Sequence, residues 1–241
     1  MRELLKIGAV RAEQTRPLVA VPFQVKDERD FDEQLNQYNQ SQADVIEWRL
    51  DCWTDLNQLI AALPILLQRF EKPILVTYRT VSEGGQAEYK EDVYRQLYTV
   101  AIQNGVDAVD IELEHLADAD AVVELARQYE VTTIGSKHVF NVSNFAVAQY
   151  LEAAVSEMVD VVKLAILPKT PTDVNELLQA TKQVSLQTKK PLITIAMGLL
   201  GQKSRLDGWR YGSQLTFASL VDKSAPGQLD LKTVLQHLNA I

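Results

Sequence analysis

Eight short apolar runs, separated by longer amphipathic stretches, recur along almost the whole sequence. Several of the separating stretches carry apolar residues at helical spacing, such as Phe31, Leu35 and Tyr38. Strands that alternate with helices predict a parallel sheet covered by helices, and eight such units favour closure into a (β/α)8 TIM barrel. An open doubly wound sheet of eight strands is the alternative. The runs that we expect to be strands cover residues 18–23, 44–51, 73–80, 107–113, 132–138, 160–167, 192–197 and 214–220.

The length of the chain suits one such barrel. It has 241 residues, and barrels of this kind usually need about 250, so we expect a single domain over residues 1–241. Residues 1–16 precede the first predicted strand, and we expect them to form an arm or hairpin that closes one end of the barrel. The glycine-rich signatures of nucleotide-binding folds, GxGxxG after the first strand and GxxxxGK[ST], do not occur.

The charge balance and the cysteine content exclude several functional classes. The 24 Lys and Arg residues against 32 Asp and Glu residues give a formal net charge of −8, which argues against a nucleic-acid binder. The single cysteine, Cys52, rules out an intramolecular disulfide and a cysteine-rich zinc site. The sequence has no apolar run of transmembrane length, and its first residues lack the apolar core of a signal peptide. We therefore expect a cytoplasmic protein with no membrane or nucleic-acid partner.

Charged residues alternate with apolar ones in two of the predicted strands. A barrel strand turns alternate residues toward the helices and toward the lumen. In the second strand the apolar residues should face the helices, which leaves Glu47, Arg49 and Asp51 to the lumen. The same reasoning places Asp110 and Glu112 in the lumen. One explanation of these charges is a structural network of ion pairs that fills the lumen, and the other is a binding site.

The ends of three predicted strands carry basic side chains: Arg79, His138 and Lys163. This is the end at which (β/α)8 enzymes have their active sites. Lys163 stands in the apolar run VDVVKLAIL, where we expect little to stabilise its ammonium form. Desolvation moves a lysine toward its neutral amine, a nucleophile that can form a Schiff base with a ketone. A lysine that reaches out of the barrel or pairs with a carboxylate is the alternative.

Seven short segments, in this order and at this spacing, resemble the type I 3-dehydroquinate dehydratases. They are EWRLD (47–51), YRTVSEGG (78–85), GSKH (135–138), VKLA (162–165), AMG (196–198), SR (204–205) and SAPGQ (224–228). The resemblance implies a (β/α)8 barrel that dehydrates 3-dehydroquinate to 3-dehydroshikimate through a Schiff base, in the shikimate pathway to chorismate and the aromatic amino acids. It also implies a homodimer and a reaction that requires no metal or organic cofactor.

The resemblance assigns catalytic roles to three residues. Lys163 is the nucleophile that forms the imine, and His138 is the general acid and base. Glu83 is the acidic partner that orients this histidine. The other two histidines, His115 and His237, match no segment of the family, and we expect both on the surface.

Further residues are expected to bind the substrate. A guanidinium fork can hold a carboxylate through two hydrogen bonds, so Arg205 is the expected carboxylate ligand. The resemblance further implies that Glu47, Arg49 and Arg79 contact the hydroxyl groups and the carboxylate side of the substrate. Asp51 is expected behind them, where it would hold Arg49 or Arg79 in place.

The segment SAPGQ resembles the loop that closes over the substrate in this family. Ser224 and Gln228 would then hydrogen-bond the substrate and help to exclude water, while Met197 would supply an apolar wall near the imine. An ordinary turn before a final helix at 229–238 is the alternative for this segment.

Two other functions are compatible with a polar barrel mouth. One is a Schiff-base aldolase that acts on a sugar phosphate, since barrels often bind phosphate in the loops after strands seven and eight. The other is a non-catalytic barrel that binds a carboxylated ligand. A carboxylate-binding Arg205 argues against the first, and the combination of Lys163, His138 and Glu83 argues against the second.

Overall fold

Eight parallel strands form the sheet that carries the site. The computed structural model describes residues 3–221 and 227–240. The strands of the chain are β1 (Lys6–Ile7), β2 (Val10–Arg11), β3 (Leu18–Phe23), β4 (Val45–Arg49), β5 (Ile74–Thr77), β6 (Ala108–Glu112), β7 (Thr132–Val139), β8 (Val161–Ile166), β9 (Leu192–Ala196) and β10 (Leu215–Phe217). The eight barrel strands are joined in the order β10-β3-β4-β5-β6-β7-β8-β9, and Gln214 N, just before β10, donates to Leu192 O on β9 at 2.8 Å. The predicted (β/α)8 barrel is therefore confirmed.

The first two strands form an antiparallel hairpin at the amino-terminal end of the barrel. Leu5 and Ile7 are buried in the same apolar cluster as the first inward residues of the barrel strands. The backbone N of Leu5 donates to Gln214 Oε1 at 2.7 Å, and Thr132 Oγ1 donates to the backbone O of Lys6 at 2.9 Å. An N-terminal hairpin, as expected, thus precedes the first barrel strand.

The lumen changes from apolar to polar along the strands. Its amino-terminal layer contains apolar side chains such as Val45 and Val161. Two residues further along, on the same face of five of the strands, the buried side chains are polar: Glu47, Thr77, Asp110, Ser136 and Lys163. The apolar layer supports the sheet, and the polar layer forms the base of the site at the carboxyl ends of the strands.

Helices cover the outside of the sheet. The outward residues of the strands, such as Ile46, Trp48 and Val76, pack against them in one continuous apolar cluster. Within the described ranges, no helix is both long and apolar enough to cross a membrane. The helices are α1 (Glu28–Asn39), α2 (Leu56–Leu66), α3 (Glu91–Gln103), α4 (Asp120–Gln128), α5 (Val147–Ala154), α6 (Pro171–Gln187), α7 (Gln202–Asp207) and α8 (Leu231–Asn239).

Several element boundaries differ from the prediction. β4 ends at Arg49, because residues Leu50–Cys52 form a turn of 3-10 helix, so Asp51 lies after the strand. β5 ends at Thr77, so Arg79 lies in the following loop. The final helix begins at Leu231 rather than at 229, because the side chain of Asp230 accepts a hydrogen bond from Thr233 N at 2.9 Å and caps the helix there.

Candidate active site

A cavity of about 310 Å³ opens at the carboxyl ends of the barrel strands. Side chains from the ends of different strands meet in this one site, as in other barrels of this class. Of the residues that the sequence predicted for the site, Ser224 lies outside the described residues and Asp51 lies behind Arg49. The residues of the sequence prediction that line the cavity are Glu47, Arg49, Arg79, Glu83, His138, Lys163, Met197, Arg205 and Gln228.

Lys163 is buried on β8, with carboxylates beside its amine. Its Nζ atom lies 2.7 Å from Asp110 Oδ2 and 3.6 Å from Glu47 Oε1. Nζ also lies 4.7 Å from the centre of the Phe217 ring, in a cation–π contact. The expectation that little stabilises the ammonium form is therefore wrong, because the apolar neighbours of Lys163 in sequence do not share its surroundings in the lumen. The amine becomes a nucleophile once it gives up a proton.

His138, on β7, forms a hydrogen-bonded pair with Glu83. Its Nδ1 atom lies 2.9 Å from Glu83 Oε2, and its backbone N donates to the same oxygen at 3.0 Å. Burial, reinforced by the charges of Arg79 and Lys163, lowers the pKa of His138 well below its usual value. The imidazole is therefore neutral at neutral pH. When Nδ1–H donates to Glu83, Nε2 is free to take up a proton.

Glu83 lies at the end of a short 3-10 turn, Val81–Glu83, in the loop after β5. Its carboxylate is almost completely buried. Burial raises the pKa of Glu83 to about 7, against the opposing effect of the Arg79 charge. Gly84 ends the turn with a φ of 83°, a left-handed conformation that favours glycine. The loop therefore fixes the carboxylate against His138.

Arg79 lies at the centre of a buried cluster of carboxylates. Its NH1 atom donates to Glu112 Oε1 at 2.9 Å and to Glu83 Oε2 at 3.3 Å. Its NH2 atom donates to Asp110 Oδ1 at 2.6 Å, and Ser136 Oγ donates to the same oxygen at 2.5 Å. The lumen charges therefore form a network of ion pairs, and this network lies directly beside the cavity.

This cluster adds residues that the sequence prediction of the site left out. Asp110 contacts Lys163 and Arg79; burial alone would raise its pKa, but these two cations hold it well below its usual range. The strand alternation had already placed Asp110 and Glu112 in the lumen, whereas nothing in the sequence distinguished Ser136. Among the described residues, no group of three His, Cys, Asp or Glu side chains is arranged to hold a metal ion.

Asp51 connects two parts of the site. Its two oxygens accept hydrogen bonds from Arg49 Nε and NH2, each at 2.7 Å. The same carboxylate accepts from the backbone N of Arg79 at 3.1 Å and from the backbone N of Gln86 at 3.1 Å. Asp51 therefore holds both the Arg49 side chain and the loop that carries Arg79.

Arg205, on α7, is a buried cation without a carboxylate partner among residues 3–221 and 227–240. Its NH1 atom donates a long hydrogen bond of 3.4 Å to the backbone O of Phe217, and its Nε atom has no hydrogen-bond partner within the same two ranges. Burial lowers the pKa of Arg205 to about 10. A buried guanidinium with free donors beside a cavity is suited to binding an anionic ligand.

Comparisons of the whole chain with known proteins agree on one family. The sequence model of type I 3-dehydroquinase matches residues 19–241. A 3-dehydroquinate dehydratase from Clostridium kluyveri is 33% identical over 258 residues, which cover 100% of this chain and 98% of that protein. A 3-dehydroquinate dehydratase from Escherichia coli is 34% identical, over 92% of this chain and 93% of that protein. The chain belongs to the type I 3-dehydroquinase family.

Solved structures of type I 3-dehydroquinases have the same barrel. The 3-dehydroquinate dehydratase of Geobacillus kaustophilus superposes with a TM-score of 0.89 at 31% identity, over 99% of this chain and 96% of that one. The type I enzyme of Clostridium difficile, crystallised with covalently modified comenic acid, gives a TM-score of 0.91 at 30% identity, over 100% of this chain and 98% of that one. Family membership argues against the aldolase and the non-catalytic barrel.

One histidine of this type I 3-dehydroquinase is not where the sequence predicted it. The His115 side chain is 13% exposed rather than on the surface. Its ring stacks on Tyr89 with the centroids 3.5 Å apart, and its Nε2 atom lies 3.6 Å from Glu112 Oε2. The 3-10 turn after β6 (Leu113–His115) directs the ring back over the end of the strand. His237 is more exposed and lies 3.1 Å from Asp207.

Proposed function

We propose that the chain is a hydro-lyase that removes water from 3-dehydroquinate to give 3-dehydroshikimate, through a Schiff base on Lys163. One observation carries the proposal: a buried lysine amine shares a cavity with a neutral histidine, His138, and with Arg205, a buried arginine that has no carboxylate partner within residues 3–221 and 227–240. The amine and the histidine are what imine chemistry requires, and the arginine suits a substrate with a carboxylate. The covalently modified ligand of the C. difficile relative supports a covalent mechanism.

The first half of the reaction forms the imine. The Lys163 ammonium transfers a proton to a base, for which His138 Nε2 is available. The neutral amine then attacks the ketone carbon, the C=O bond opens, and the nitrogen of the adduct gives up a second proton. His138 passes both protons in turn to the former carbonyl oxygen, which leaves as water as the C=N bond of the iminium forms.

The second half uses the iminium as an electron sink. His138 takes a proton from the carbon beside the iminium, and the electron pair of that C–H bond gives an enamine. The enamine expels the hydroxyl group of the next carbon. This hydroxyl takes up the proton that His138 returns and leaves as water. Hydrolysis of the product iminium regenerates Lys163, so the substrate has lost one water overall and no redox change occurs.

The remaining residues bind and orient the substrate. Arg205 holds its carboxylate, Glu47 accepts from a ring hydroxyl, and Arg49 contacts the same side. Met197 forms an apolar wall of the cavity. Both terminal nitrogens of Arg79 already donate to carboxylates or to Ser136, so we assign Arg79 chiefly to holding Glu83, and its contact with the substrate stays a prediction.

Gln228 lines the cavity and would hydrogen-bond the substrate. The expected contact from Ser224 stays a prediction, because that residue lies outside the described ranges. The homodimer, the cytoplasmic location and the biosynthetic role, as opposed to quinate breakdown, also stay predictions.

Covalent trapping tests the proposal directly. Borohydride reduction in the presence of 3-dehydroquinate should add the mass of the reduced substrate adduct to the intact protein, and peptide mapping should place it on Lys163. Lys163→Met preserves the length of the side chain without an amine, so it should abolish both the adduct and turnover while the barrel stays folded.

Lys190 supplies a matched control. It is a partly buried lysine with its Nζ atom 2.6 Å from the backbone O of Glu157, away from the cavity. Lys190→Met should retain turnover and the adduct. An adduct on another lysine, or substantial turnover by Lys163→Met, would contradict the assigned mechanism.

A further inference from the structure

Lys137 precedes His138 on β7 and contacts Glu83, the partner of that histidine, at the carboxylate oxygen that His138 does not bind. The Nζ atom of Lys137 lies 3.1 Å from Glu83 Oε1 and 2.6 Å from Glu114 Oε2. The Lys137 side chain is 27% exposed, whereas the Glu83 side chain is 1% exposed. Lys137 therefore extends from the rim of the barrel to a buried carboxylate, although the proposed mechanism gives it no role.

The two oxygens of Glu83 have different partners. Oε2 accepts from His138 Nδ1, from the His138 backbone N and from Arg79 NH1. Among the described residues, Oε1 has no hydrogen-bond partner of ordinary geometry, and the cation placed against it is the Lys137 ammonium. Lys137 is thus positioned to set both the orientation and the charge of the carboxylate.

We propose that Lys137 is a positioning residue of the dehydratase: its ammonium holds Glu83 ionised and oriented toward His138, and Glu114 anchors that ammonium at the rim. The inference rests on the proposed function, in which Glu83 orients the histidine that moves protons. Lys137 itself need not touch the substrate.

The other charged and titratable groups around Glu83 cannot replace this cation. Arg79, from the loop after β5, divides its charge among Glu83, Asp110 and Glu112. Glu112, at the end of β6, raises the pKa of Glu83, and His138 on β7 is neutral. Tyr150, from α5, also interacts with Glu83, but burial raises its pKa to about 12 and it is uncharged.

The ionisation of Glu83 is sensitive to nearby charges because its pKa lies near neutral pH. Burial raises the pKa of Glu83 to about 7, while the Arg79 charge and then the Lys137 charge act to lower it. Loss of the Lys137 cation raises this pKa further, so the active, ionised form requires a higher pH. Since the lysine is partly exposed, we expect a shift of about 0.5 to 1 pH unit rather than the larger shifts of fully buried pairs.

The pH profile of kcat/KM tests the inference. In Lys137→Met, the midpoint of the acid limb should rise by that amount, and kcat/KM near pH 6 should fall about three- to tenfold, with little change near pH 9. Lys137→Arg keeps the charge and should restore most of the wild-type profile. The control is Lys169→Met, which removes a rim lysine that hydrogen-bonds Asn141 and Ser143 and does not contact Glu83. The pH profile of its kcat/KM should match that of the wild type.

A second measurement does not depend on turnover. The nitrogen NMR signals of the His138 imidazole, assigned with His138→Gln, should sense the protonation of Glu83 at 2.9 Å, and their inflection should move up in Lys137→Met. An unmoved inflection, or a uniform loss of kcat/KM at every pH, would overturn the role of Lys137. Absence of turnover and of a borohydride adduct in the wild type would instead count against the proposed function, and the NMR titration would still decide the inference.

Discussion

Replacement of Arg205 by methionine should raise the stability of the free protein and greatly lower its affinity for a carboxylated ligand. Burial lowers the pKa of Arg205 from 12.5 to about 10, and at about 1.4 kcal/mol per unit the charged form is destabilised by on the order of 3 kcal/mol. A cation with a depressed pKa carries this cost at every pH below that pKa, so the full cost is present at neutral pH. The burial of Arg205 is thus tolerated for ligand binding, not for folding.

Methionine keeps an apolar stem of similar length, and among the described residues the substitution removes only one long side-chain hydrogen bond, to Phe217 O. We therefore expect the free energy of unfolding of Arg205→Met to rise by about 1 to 3 kcal/mol, which raises Tm by several degrees. The loss of a charge-assisted contact to a buried carboxylate costs about 2 to 4 kcal/mol, so affinity for quinate, a carboxylated ring that cannot react, should fall on the order of a hundredfold.

Thermal unfolding with and without quinate measures both effects. The matched control is Arg49→Met, which leaves the buried Asp51 carboxylate without its cation. This variant should lower the free energy of unfolding by about 3 kcal/mol. An Arg205→Met protein that is less stable than wild type, or that binds quinate with normal affinity, would refute the reasoning.

Two further predictions concern Glu83 and its loop. Burial raises the pKa of Glu83 from 4.5 to about 7, so its contribution to stability is fully present below pH 4.5 and is lost as the pH rises through 7. Relative to Glu83→Gln, the wild-type free energy of unfolding should therefore fall over this pH range by on the order of 2 to 3 kcal/mol. Denaturant titrations in which the two proteins show the same pH dependence would contradict this. At Gly84, with a φ of 83°, a Cβ would lie 2.5 Å from the Phe140 ring, whereas at Gly105, with a φ of 90°, it would meet nothing within 4 Å. Gly84→Ala should thus destabilise the protein by about 1 to 2 kcal/mol more than Gly105→Ala; equal denaturation midpoints would show that the ring moves away freely.

The architecture followed from local patterns. The alternation of apolar runs with amphipathic stretches predicted the barrel, and the alternation within the second and fourth runs placed Glu47 and Asp110 in the lumen, where both are buried. These predictions succeed because the strand repeat of two and the helix repeat of 3.6 are properties of neighbouring residues. The strand boundaries were predicted less accurately: Arg79 lies in a loop because β5 ends at Thr77, before the predicted run ends.

The electrostatic partners depended on the tertiary structure. Lys163 pairs with Asp110, 53 residues earlier, so its apolar neighbours in sequence misrepresented its surroundings. His115 is largely buried against Tyr89 because a turn after β6 directs it inward.

The sequence alone therefore determined which residues face the lumen and which end of the barrel they reach. The carboxylate partners of the cations came instead from the closed barrel: among the described residues, Arg79 contacts three carboxylates, Lys137 contacts two and Arg205 contacts none. Barrel closure brings together strands that are far apart in the chain. The energy of a charge in the lumen depends on distances and burial across those strands, and no local repeat encodes them.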